Sequence, residues 1–142
     1  MTNEPVIVER IYNASVQKIW SALTDPAEMK KWYFDIPDFK AQPGFEFSFL
    51  AGDDQKKFLH LCRITDVIPE KKLSYTWRYD GFEGDSEVSF ELFPEGDKTK
   101  LRLTHTGLEN FRGEVYPQFA KKNFIGGWTY FVEEALPGYL NQ

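Results

Sequence analysis

Two histidines, His60 and His105, and one cysteine, Cys62, carry the ordinary chemistry of a base, a soft metal ligand or a thiol nucleophile in this chain. An imidazole titrates near neutrality and suits proton transfer. His105 closes the alternating stretch TKLRLTHTG on the face of Leu101 and Leu103, within reach of a pocket mouth. The competing reading makes it a polar side chain bonded to a neighbouring loop. His60 lies where alternation breaks down, so its face stays open. A Cys–His pair would make Cys62 a nucleophile, yet a lone cysteine is more often a small buried hydrophobe. The three residues are far apart in sequence, which makes a poor metal site. No G-x-S-x-G elbow, G-x-G-x-x-G loop, P-loop or H-E-x-x-H helix is present. No catalytic residue, metal ligand or cofactor is therefore expected.

Aromatic residues are the richer signal, with 13 Phe, 7 Tyr and 4 Trp in 142 residues. Such rings fill cores and also line apolar pockets. Phe47, Phe49, Tyr75, Trp77, Phe90 and Trp128 are candidate ligand-binding residues, with core packing as their commoner fate. A ligand also needs polar groups to orient it. Tyr75, His105 and the indole N–H of Trp77 are the candidates for that role. Trp32 and Tyr33 are placed as guards of an entrance, and Trp20 as part of a helix stripe.

The elements that must position these residues follow from periodicity. Residues 5–12, PVIVERIY, are rich in β-branched side chains and predict a strand. Ser15 is a good N-cap for a helix carrying Val16, Ile19, Trp20 and Leu23. Asp25 and Pro26 open a second short helix, with Glu28 in its first turn. A loop with a Pro43-Gly44 turn leads into FEFSFL, where Phe45, Phe47 and Phe49 share a face. GDDQKK turns the chain into FLHLCRITDVI, whose alternation fails near Ile64 and Val67 as at a bulge. LSYTWRY, EVSFELF and TKLRLTHTG alternate again, which predicts an antiparallel sheet with one wet face.

The last element is a helix over residues 123–136, NFIGGWTYFVEEAL. At about 100° per residue its apolar stripe centres on Phe124, Trp128 and Ala135. Gly127 then flanks the stripe and leaves room for a strand, a loop or a ligand, so a side chain there should overpack. Gly126 points the opposite way. Pro137 should end or kink the helix, since it lacks a backbone donor and clashes one turn back. The whole is an α+β chain: strand, two short helices, five hairpin-linked strands and a long C-terminal helix covering the apolar sheet face. One domain spanning residues 1–142 is expected, without repeat or linker.

Charge excludes some partners. The 17 basic residues are scattered among 22 acidic ones for a net −5, so nucleic acid and anionic membranes are not expected. No run of about 18 apolar residues occurs, so no membrane span is expected. The opening MTNEPVIVER has neither the basic nor the apolar region of a secretory signal. With its single cysteine, the chain is expected to be cytoplasmic.

Taken in order, IWSALTDPAEMKKWY, PGFEFSF, LSYTW, VSFELFPEGDKTKLRLTHTG and GGWTYFVEEAL resemble the START-like (SRPBCC) superfamily of helix-grip folds. They are most similar to its branch named after the C-terminal domain of the activator of the heat-shock-protein-ninety ATPase. The resemblance implies a curved six-stranded antiparallel sheet wrapped around the C-terminal helix. It implies three functional readings, because related domains bind apolar ligands, serve as co-chaperones or cyclise polyketides. The first encloses a small hydrophobic ligand between sheet and helix, without turnover. The second is a protein-binding module that activates a chaperone ATPase in a stress response. The third is a polyketide cyclase-like enzyme. A cavity of about 300 Å³ or more favours the first or third, a filled core with an exposed apolar patch the second. On the first reading Trp32, Phe47, Phe49, Tyr75, Trp77, Phe90, His105, Gly127 and Trp128 bind the ligand.

Overall fold

A computed structural model of the chain describes residues 4–52 and 56–141. The turn expected at GDDQKK therefore falls partly on residues 53–55, outside the described residues. Strand β1, Val6–Tyr12, is followed by helices α1, Val16–Thr24, and α2, Pro26–Trp32. Their boundaries come from capping. The Ser15 hydroxyl accepts from the Lys18 amide at 3.2 Å, and the Asp25 carboxylate accepts from the Ala27 amide at 3.0 Å. The Trp32 indole then donates to the Ala22 carbonyl at 2.8 Å and locks α2 on α1.

Five strands follow: β2, Glu46–Gly52; β3, Lys57–Ile68; β4, Lys72–Tyr79; β5, Ser86–Glu95; and β6, Lys98–Thr106. They form one antiparallel sheet in the order β1-β6-β5-β4-β3-β2, so β1 crosses over to pair with β6. The register sets Val6 opposite His105, Val88 opposite His105 and Phe49 opposite His60. A register shift between Ile64 and Asp66 breaks the β3–β4 ladder where alternation predicted a bulge. The inner face buries Phe47, Phe49, Cys62, Ile64, Leu73, Tyr75, Trp77, Val88, Phe90, Leu101 and Leu103. Two 3₁₀ turns, Leu108–Phe111 and Pro117–Phe119, lead to the final helix and bury Phe111 and Phe119.

That helix departs from expectation. It runs as α3, Lys121–Tyr130, through a π turn, Phe131–Ala135, into α4, Leu136–Leu140. Its buried residues are Phe124, Trp128, Val132, Leu136 and Leu140, spaced by four throughout. On an α-helix each such step overshoots a full turn by about 40°, so the stripe would wind through about 160°. One extra residue in a wider turn takes back about 100° of this and keeps all five on the sheet. Each such buried side chain contributes about 1.5–3 kcal/mol. The expected stripe is corrected accordingly: Ala135 is half-buried, while Val132 and Leu136 face the core.

Pro137 does not end the helix, which runs on to Leu140. Its missing N–H would have served the carbonyl of Val132 in π geometry or that of Glu133 in α geometry. Both carbonyls accept from β1 instead: Tyr12 donates to Val132 at 2.5 Å and Arg10 to Glu133 at 3.2 Å. The edge strand thus replaces the donor that proline removes. Tyr12→Phe should then leave the buried Val132 carbonyl without this donor and cost about 1–3 kcal/mol. Urea denaturation of the variant beside Arg10→Ala, whose exposed bond should matter less, measures this.

Candidate functional site

Where the N-terminal half of α3 passes the β2–β3 end of the sheet, packing leaves a cavity of about 520 Å³. Trp77, Tyr79 and His60 come from the strands, and Phe124, Gly127, Trp128 and Phe131 from the helix. Phe34, Phe58 and Phe119 add rings, while Lys56, Gln118 and Asn123 also line it. The walls are pinned by ring contacts. Trp77 and Trp128 meet at 5.3 Å and 64°, and Tyr79 stacks on Phe119 at 4.3 Å.

Of the residues singled out from sequence, Trp77, Gly127 and Trp128 line this cavity. Phe49 lies one layer behind, stacked between His60 and Phe34 at 4.6 and 4.3 Å. Phe47, Tyr75 and Phe90 pack deeper, among core rings. Trp32 is buried against α1, and Tyr33 packs on Trp128 with its hydroxyl 2.6 Å from that of Tyr75. Neither guards an entrance. The three orienting groups are internally engaged: Tyr75 with Tyr33, the Trp77 indole with the Tyr79 hydroxyl at 2.9 Å, and His105 as follows.

His105 is fully buried and does not reach the cavity mouth. Its Nδ1 lies 2.9 Å from the Trp128 indole nitrogen and its Nε2 2.6 Å from the Ser86 hydroxyl. An indole N–H only donates, so Nδ1 must be the bare nitrogen and Nε2 must carry the proton. Nε2 then donates to Ser86, which donates to the Trp77 carbonyl at 3.1 Å. The chain Trp128→His105→Ser86→Trp77 joins α3 to three strands with one direction throughout. A serine beside a histidine has the composition of a nucleophile–base pair. Here the polarity is reversed, because the nitrogen that would take the serine proton already holds one. Burial also pulls the imidazole down to about 3.

His60, whose face was left open, points inward and lines the cavity. Its Nδ1 bonds the Phe58 carbonyl at 2.9 Å, so Nδ1 carries the proton and Nε2 is an acceptor. Burial lowers this imidazole to about 4, against the opposing pull of the Phe58 and Phe49 carbonyls. Cys62 is buried beneath the sheet, and burial pushes its thiol upward, away from the reactive thiolate. Among the described residues, no group of three or more His, Cys, Asp or Glu could hold a metal ion, and no helix is long and apolar enough to cross a membrane.

Gly127 reverses the sequence expectation of overpacking. A methyl group built there, or at Gly126, meets nothing within 4 Å. Gly127 opens onto the cavity rather than onto a neighbouring backbone. Sequence reasoning also passed over several lining residues. Tyr79 continues the Leu73, Tyr75, Trp77 alternation by one more step and was within reach of it. Phe34 and Phe119 lie outside the regular helices and strands, where no period reveals a face, and Phe131 sits in the π turn.

With this geometry in place, comparison with known proteins is informative. Residues 13–141 match the sequence model of a family described as Activator of Hsp90 ATPase homolog 1-like protein. The protein MLL2253 from Mesorhizobium loti is 30% identical, with 97% of each chain covered and a TM-score of 0.79. BH1534 from Bacillus halodurans is 26% identical, covering 98% of this chain and 99% of its own, with a TM-score of 0.73. DynU16, a protein in the dynemicin biosynthetic locus, is 22% identical with a TM-score of 0.78. That match covers 98% of this chain and 48% of DynU16, and at this identity it speaks to the fold alone. No curated protein matches the chain.

The buried histidines make stability depend on pH with a definite sign. Both are held below the ordinary 6.5, so the unfolded chain takes up protons first as pH falls. Their contribution is complete above about pH 6.5 and is lost as pH falls toward 4 and then 3. From pH 7 to 4.5, the wild type should lose about 2–3 kcal/mol more than His105→Gln. Denaturation midpoints across that range check this, and parallel profiles for the two proteins would rule it out.

Proposed function

The chain belongs to the family of Activator of Hsp90 ATPase homolog 1-like proteins, and on that premise we propose that it binds a small hydrophobic ligand between sheet and helix, without turnover. The observation that carries this reading is the cavity of about 520 Å³, walled by aromatic rings held in place by their neighbours. Its size falls within the roughly 300–1,000 Å³ of small-molecule sites. Rings on opposite walls offer flat apolar surface with little rotamer freedom to lose on binding.

Two features support binding over chemistry. The Ser86–His105 pair has a polarity that blocks base catalysis, and neither residue lines the cavity. His60 does line it, but an imidazole held near 4 is a weak base at neutral pH.

Gly127 supplies the test. With open space beyond it, Gly127→Ala should raise stability by about 0.4–1 kcal/mol through the unfolded chain. Gly127→Leu should also fold, with its side chain inside the cavity. Fatty acids, flavonoids and sterols are screened for shifts in tryptophan fluorescence, reported by Trp77 and Trp128, and in melting temperature. A compound that shifts both in the wild type should shift neither in Gly127→Leu. A panel inert toward the wild type would refute the ligand-binding reading.

A further inference from the structure

Two polar groups in the wall of the cavity have hydrogen-bonding capacity that the described residues do not use. The Tyr79 oxygen accepts from the Trp77 indole at 2.9 Å. An indole cannot accept in return, so the phenolic proton must point elsewhere, and no described residue receives it. Tyr79 keeps that proton at neutral pH, because burial pushes its phenol well above the ordinary value. The ring is clamped by stacking on Phe119 at 4.3 Å and by edge contact with Phe111 at 5.2 Å. It cannot swing out to find water without breaking both contacts.

His60 presents the opposite capacity. Its Nδ1 proton is spent on the Phe58 carbonyl, the Phe49 carbonyl beside the ring can only accept, and no described residue donates to Nε2. His60 lines the cavity, which puts its ring within reach of a ligand there. The imidazole is only 6% exposed, lies flat on Phe49 at 4.6 Å and meets Tyr79 ring to ring at 4.8 Å. A donor and an acceptor therefore stand on neighbouring rings in a wall built mainly of aromatic side chains, with Lys56, Gln118 and Asn123 also lining it.

We propose that this pair selects the ligand: an aromatic molecule bearing a neutral hydroxyl, which accepts from Tyr79 and donates to Nε2 of His60. The inference rests on the ligand-binding reading above and adds the ligand's chemical class to it. A hydroxyl is the smallest group that answers both demands at one atom. A carboxylate accepts but has no proton to give to His60. A plain hydrocarbon leaves both groups dry and unpaired, which a buried site penalises. The rings around the pair account for the aromatic body. Trp77 is 5.0 Å from His60, and Phe34 is 6.1 Å from it.

Four probes of one shape separate the terms: 2-naphthol, 2-methoxynaphthalene, naphthalene and 2-naphthoate. Each is titrated into the full chain at pH 7 and followed by tryptophan fluorescence and calorimetry. 2-Naphthol alone both donates and accepts while neutral, and it should bind at least about tenfold tighter than the other three. Tyr79→Phe should cut its advantage over naphthalene severalfold, leaving only the bond to His60, while naphthalene binding stays unchanged, which also shows that the cavity is intact. If Tyr79→Phe fails to fold, the methoxy probe in the wild type carries the test, since it removes the donated proton from the ligand side. Naphthalene binding within threefold of 2-naphthol overturns the inference and leaves the ligand-binding reading standing. Tightest binding by 2-naphthoate also overturns it, in favour of an anionic ligand. Failure of all four probes to bind, together with an inert screen, removes both.

Discussion

An indole can give a hydrogen bond but cannot receive one, and at Trp128 this asymmetry organises the interior. The indole proton is directed at His105, which settles the tautomer of a fully buried imidazole. That tautomer settles the direction of the Ser86 hydroxyl, which ends on the Trp77 carbonyl. Four residues from one helix and three strands are thus oriented by one donor. The same rule repeats beside the cavity, where the Trp77 indole occupies the Tyr79 oxygen and turns its proton outward. Both effects follow from one group that donates only. They leave an interior whose buried bonds are satisfied while one donor and one acceptor remain in the cavity wall.

The helix that presents Trp128 depends on a second constraint. Five buried residues spaced by four cannot all face one sheet from a regular α-helix. The π turn resolves the mismatch, and Pro137 follows it directly, where it would otherwise leave carbonyls unserved. Tyr12 and Arg10 supply those carbonyls from β1, the strand that crosses the sheet to pair with β6. Wide turns of this kind occur often at functional sites. Here the turn begins at Phe131, one of the rings of the cavity wall. Helix irregularity, proline position and edge-strand donors are therefore one arrangement.

Much of this architecture was legible in the sequence. Period-two alternation placed the inner faces of the strands, the caps at Ser15 and Asp25 set the short helices, and a broken alternation marked the bulge beside Ile64. The site was harder to read, for physical reasons. Trp32, Tyr75 and His105 are polar aromatics on apolar faces, and sequence does not say whether such a group meets a ligand or a partner from a distant strand. Trp32 finds Ala22, Tyr75 finds Tyr33, and His105 finds Ser86 and Trp128. Ala135 was misplaced because a constant 100° per residue was carried through a turn that does not obey it. Phe34 and Phe119 carry no periodic signal, yet each supplies a ring to the cavity.

A cleft lined by rings normally invites collapse, since it leaves apolar surface against water. Rings resist that collapse better than aliphatic chains do, because a planar group fixed at its tip cannot turn to fill space. Tyr79 is tethered through Trp77, and Trp128 through His105. Gly127 faces this wall without a side chain, at a helix position where glycine costs about 1 kcal/mol relative to alanine. Together these features keep the walls apart while no polar side-chain atom fully sealed from solvent, among the described residues, lacks a partner. A site held open in this way needs little rearrangement to accept a flat molecule, so more of the burial energy remains as affinity. The hydrogen bonds that stabilise the fold thereby also maintain its empty space.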